Sequence, residues 1–154
     1  MTITLEKIKE EHSKLAEMIA AFEAQAKASR LVSFPSVEIE LKEGEHYAGV
    51  ITGKNGEPSY HVILLPGQAT DINWKDAQDW AKKSGGELPT RREQSLLFAN
   101  LKEQFEERYY WSSEAYASGS VYAWVQYFYN GGQGYSSVGT NYRARAVRRL
   151  VFSN

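Results

Sequence analysis

Residues 109–149 read YYWSSEAYASGSVYAWVQYFYNGGQGYSSVGTNYRARAVRR, and this stretch decides how the chain is read. It holds eight of the ten tyrosines: Tyr109, Tyr110, Tyr116, Tyr122, Tyr127, Tyr129, Tyr135 and Tyr142. Among them lie Ser118, Gly119, Asn130, Gly131, Gly132, Gln133, Ser136, Ser137 and Asn141. The pattern predicts strands over 109–113, 120–129 and 142–152, the last two separated by the Gly-, Ser- and Asn-rich run. The same composition marks a recognition surface, because Tyr offers large amphipathic area at low entropic cost while small polar residues adapt their hydrogen bonds. Strands favour Tyr in their own right, which accounts for about half of these rings, but eight exceed what one sheet face needs. The candidate ligand-binding residues are Tyr116, Tyr122, Tyr127, Tyr129, Asn130, Gln133, Tyr135, Ser136, Asn141 and Arg143.

Upstream, two helices are expected. One covers about 73–84, with Trp74, Ala77, Trp80 and Ala81 on one side and Gly85-Gly86 as its stop. The other follows Pro89, where Thr90-Arg91-Arg92-Glu93 forms a capping box ahead of Leu96, Leu97, Ala99, Asn100 and Leu101. Before them, His46 to Thr52 and Ser59 to Leu65 read as strands joined across the turn Lys54-Asn55-Gly56. Val37, Ile39 and Leu41 alternate with Glu38, Glu40 and Lys42, the period of a half-buried strand. Strands, two helices and strands again define an α+β class over 36–154.

The first thirty residues differ, with no Gly, no Pro and one aromatic residue. Leu5, Ile8, His12, Leu15, Ile19, Phe22 and Ala26 follow a 3-4 spacing, a heptad seam on roughly 35–40 Å of helix. Thr2 or Thr4 caps its start, Glu10 and Lys14 form a favourable pair, and Met18 and Ala21 widen the stripe. A helix this short needs something to pack on. Two readings stand: a coiled-coil segment over 4–29 that makes a homo-oligomer, a trimer favoured, or a helix folded back on its own domain. Residues 31–35 read as a linker.

The chain has 154 residues at 17.4 kDa, enough for one ordinary domain and an appendage. Its 42% apolar content supports a buried core and excludes disordered classes. Eighteen Lys+Arg against nineteen Asp+Glu give no field to steer it to nucleic acid, and no run suits membrane insertion. No cysteine is present, so thiolate metals, Fe–S clusters and Cys nucleophiles are out. The usual nucleophile-elbow, zinc-helix, phosphate-loop and calcium-loop spacings are all absent, which favours a binding module over an enzyme. His46 and His61 are placed to pack across the hairpin, a weak basis for a metal site, so neither metal nor cofactor is expected. Gly132-Gln133-Gly134 fails the dinucleotide fingerprint. In the final run, Arg143 and Arg145 share a side, and a bulge near Val147 re-aims Arg148 and Arg149. These arginines either hold an anionic group or pair with Glu87, Glu93 or Glu114.

Trp80-Ala81, Gly85 through Arg91, Tyr110-Trp111-Ser112-Ser113, Ala123-Trp124, Phe128, Gly131 and Arg145-Ala146-Val147-Arg148 together resemble the Lcl-type C-terminal domain, a module of phage and bacterial surface proteins. The resemblance runs from about Gly44 to Leu150. It implies a C-type-lectin-like fold, related to formylglycine-generating enzymes and to retroelement-diversified receptor-binding proteins. On that pattern Leu88-Pro89-Thr90 starts the second helix, Trp111 and Trp124 anchor the core, and Arg145 and Arg148 close the sheet. The ligand surface is then Tyr116 to Arg143. Formylglycine chemistry needs the missing cysteines, and Glu57-Pro58-Ser59 is the lone echo of a calcium-dependent sugar motif. The resulting expectation is non-catalytic recognition of a cell-surface glycan or protein by a phage or prophage adhesin. The alternative is a cytoplasmic prophage protein that binds and modulates a host protein. Residues 1–7, MTITLEK, lack the pattern of a signal peptide, so a virion or cytoplasmic location is expected.

Overall fold

The computed structural model describes residues 3–27, 34 and 36–152. Chain contacts divide it into two units, Met1–Ser36 and Val37–Asn154. In the first, helix α1 spans Leu5–Ala26, and Thr4 caps it by accepting from the Lys7 amide at 3.3 Å. Lys14 and Glu10 pair at 2.7 Å on its exposed surface. No residue of α1 is buried. Thr2 and most of the expected linker lie outside the described residues.

The second unit is α+β. Its elements are β1 (His46–Ile51), β2 (Tyr60–Leu64), β3 (Ala69–Ile72), α2 (Trp74–Lys83), α3 (Arg91–Leu101), β4 (Tyr109–Ala115), β5 (Tyr122–Tyr127), β6 (Gln133–Ser137), β7 (Tyr142–Ala144) and β8 (Val147–Val151). A three-stranded sheet runs β1-β2-β8 and a five-stranded sheet runs β3-β7-β4-β5-β6. The β1–β2 turn forms because Asn55 and Gly56 accept positive φ, 54° and 83°. Asn73 caps α2, and Thr90 with Glu93 completes a reciprocal capping box on α3.

The capping carboxylate of Glu93 is itself fully buried. It accepts from Arg149 Nε at 2.5 Å and Nη2 at 2.9 Å, and from the Tyr60 hydroxyl at 2.8 Å. Burial, and then the neighbouring Glu93 carboxylate, push the Tyr60 phenol up to about 12, so it stays a donor. This cluster pins α3 to β2 and β8.

Four expectations need correction. The run 142–152 is two strands in different sheets, broken at Arg145-Ala146, because Arg145 turns inward onto the carbonyls of Gln104 (2.6 Å) and Leu65 (3.0 Å). Residues 133–137, read as part of a loop, form edge strand β6. Residues 36–42 join no ladder despite their alternation. His46 and His61 do not meet, since His46 stands opposite Leu64 and His61 opposite Val50.

Candidate functional site

Side chains on β5 alternate between the two faces of the large sheet, and residues directly opposite in antiparallel strands share a face. Tyr122, Trp124 and Gln126 therefore lie with Ser137, Tyr135 and Gln133 of β6, and with Tyr110 of β4. Ala123, Val125 and Tyr127 lie on the other face with Ser136, Trp111 and Tyr109. Helix α3 packs on the first face through Leu97 and Leu101 against Tyr110 and Phe128. Helix α2 packs on the second through Ala77 and Ala81 against Trp111, Ala123 and Val125. Each face has an uncovered end, and each end carries tyrosines.

On the α3 face, Tyr116, Tyr122, Trp124 and Tyr135 form one aromatic patch. Tyr135 lies 4.1 Å from Tyr116 and 5.8 Å from both Tyr122 and Trp124, ring centre to ring centre. Its three tyrosines are 44–53% exposed. Trp124, expected in the core, is only half-buried and belongs to this patch. Trp111 is the buried anchor, donating its indole N–H to the Ile72 carbonyl at 2.9 Å.

Arg91, the first residue of α3, lays its guanidinium over Trp124 at 3.5 Å. Its Nε donates to Gln133 Oε1 at 3.0 Å, and its backbone amide to Glu114 Oε2 at 2.6 Å. Gln133 Nε2 donates to the Arg91 carbonyl and to Gln126 Oε1, both at 2.8 Å. Gln133, expected to contact a ligand, is thus a brace between β6 and α3. Beside it opens a polar cleft of about 430 Å³ lined by Glu57, Tyr60, Arg91, Arg92, Glu114 and Gln133 among others. Sequence reasoning missed Trp124, Arg91 and Glu114 as surface residues. The i,i+2 spacing of Trp124 from Tyr122 was the one sequence feature that linked any of them to the patch.

On the α2 face, Tyr127 stacks on Tyr109 at 4.5 Å and lies 5.9 Å from Tyr129, while Tyr109 lies 5.3 Å from Tyr142. Ser136 hydrogen-bonds the Tyr142 hydroxyl at 3.1 Å. Asn141 and Arg143 line a neighbouring cleft of about 370 Å³ with Asp71 and Arg108. Arg143 pairs there with Glu106 at 2.8 Å. Asn130 sits in the β5–β6 turn, its Oδ1 accepting from the Gly132 amide at 2.9 Å. The ten candidates therefore do not form one surface.

Arg148 and Arg149 are occupied as well. Arg148 holds Glu45 through Nε at 2.8 Å and Nη2 at 2.7 Å, and its guanidinium keeps that carboxyl near 2, well below the ordinary 4.5. Arg149 takes Glu93 and Glu87. Among the described residues no group of three His, Cys, Asp or Glu is placed to hold a metal ion, and no helix is long and apolar enough to cross a membrane. No family model and no curated protein matches the chain.

Proposed function

We propose that the protein is a non-catalytic recognition module that binds a cell-surface glycan or protein through the patch of Tyr116, Tyr122, Trp124 and Tyr135. The single observation that carries this reading is that three exposed tyrosines and the half-buried Trp124 gather around Tyr135 at a sheet edge, with Arg91 laid over Trp124 and braced by Gln133. Exposed aromatic area of this kind, rimmed by polar groups, is what a binding surface requires and a sheet does not. In this reading the second unit is a C-type-lectin-like domain of the Lcl type. The return of the last strand, β8, to the sheet of β1 and β2 supports it. The protein then acts as a phage or prophage adhesin.

Helix α1 serves assembly. Leu5, Ile8, Leu15, Ile19 and Phe22 are 50–71% exposed, a stripe that a trimeric coiled coil would cover. Several weak sites presented together then bind by avidity. The test is binding of labelled full-length protein to intact bacterial cells, with Tyr116→Ala/Tyr135→Ala and Tyr127→Ala/Tyr129→Ala beside it. Loss in the first pair alone is expected. Equal binding by the first pair and the unmodified protein overturns the site. No binding to cells, with capture of a defined cytoplasmic protein, moves the function to the intracellular alternative.

A further inference from the structure

Residues 37–41 alternate as a strand does but pair with no strand in either sheet. Of their backbone groups, only the Glu40 carbonyl is bonded among the described residues, accepting from Arg148 Nη2 at 3.1 Å. A segment of strand period whose backbone N–H and C=O groups find no protein partner is a template for another strand. The side chains agree. Val37, Ile39 and Leu41 line an apolar groove of about 340 Å³ with Tyr47 and His61, and Val37 and Leu41 remain 47% and 41% exposed. The floor is set, since the Tyr47 hydroxyl and His61 Nδ1 hydrogen-bond at 2.9 Å and the His61 ring lies 4.4 Å from Phe152.

The alternate positions select the occupant. Glu38 and Glu40 lie opposite the apolar row in sequence phase, Glu43 follows, and none of the three is in an ion pair among the described residues. A strand added here meets acid on one face and an apolar groove on the other. Cross-strand pairing then favours Lys or Arg at every second position with apolar residues between. The chain's own basic strand does not supply it, because Arg148 and Arg149 are already laddered in β8 against β2. We propose that residues 37–41 are a docking strand for an extended segment of a partner protein, alternately basic and apolar, held by backbone hydrogen bonds. This surface is separate from the tyrosine patches and does not depend on them.

The experiment uses the full chain, a short fluorescent peptide of alternating lysine and valine, and a matching glutamate–valine peptide. The lysine peptide is expected to bind and to slow hydrogen exchange at the amides of 37–41. Glu38→Lys/Glu40→Lys is expected to reverse the preference between peptides by about tenfold or more. Ile39→Pro, which removes one backbone donor that no group among the described residues accepts, is expected to weaken binding without lowering the melting temperature. Protection elsewhere but not at 37–41, equal binding of both peptides, or an unreversed preference in the charge-swapped variant overturns the proposal.

Discussion

Glu45 and Glu93 are two acids that the fold removes from water, and arginines on neighbouring positions of β8 answer them from opposite sides. The Glu45 carboxyl lies below its ordinary value, so the stability it contributes is complete above about 4.5 and fades as the pH falls towards 2. Arg148→Ala should therefore cost about 1.5–3 kcal/mol at pH 7. In melts taken from pH 7 down to pH 2 the gap between variant and native protein should close. A gap that stays constant through that window would refute the pairing as its cause. Gly86→Ala tests a different contact, because a Cβ there would clash with the Val147 carbonyl oxygen. Loss of about 2 kcal/mol in denaturant unfolding is expected. The sequence named Glu87 and Glu93 as arginine partners, and both are. It also named Glu114, which instead accepts the Arg91 amide, and it passed over Glu45, which stands 103 positions from Arg148. Such distant pairing leaves no local trace.

The helices were legible because their caps are local chemistry: Asn73 and Thr90 begin α2 and α3 where the residues say they begin. Strands were legible only where period and partner coincided. Residues 37–41 have the period without a ladder, and β6 has a ladder without the period, since Gly134 and two serines conceal it. The division of 142–152 between two sheets follows from the inward turn of Arg145, which no alternation announces. The same limit applies to the candidate site, where composition located the tyrosines and register divided them. Gln133→Leu tests the brace between β6 and α3. It removes bonds to Arg91 and Gln126 and should lower stability by about 1–2 kcal/mol. Cell binding should fall with it if the brace orients the patch, whereas unchanged binding would show that the patch does not need it.

Between the two units the division of labour is testable by assembly state. Leu15→Glu/Ile19→Glu places charge in the α1 stripe and should convert an oligomer to a monomer in light scattering, while the melting transition of residues 37–152 is retained. Monomers from the unmodified chain would remove the coiled-coil reading. An oligomer that persists in the variant would place its interface elsewhere. If assembly supplies avidity, the monomer should also lose cell binding far more than any single tyrosine substitution does.

The opposed faces of β5 carry a consequence for how such a protein can change. From Tyr122 to Val125, the exposed Tyr122 and half-buried Trp124 alternate in the gene with the buried Ala123 and Val125. A library randomised at every position would mostly yield unfolded chains, whereas one restricted to 122, 124 and 135 would leave the core untouched. Heredity could then rewrite the patch one codon in two, and a deep mutational scan should show tolerance rising and falling with that beat.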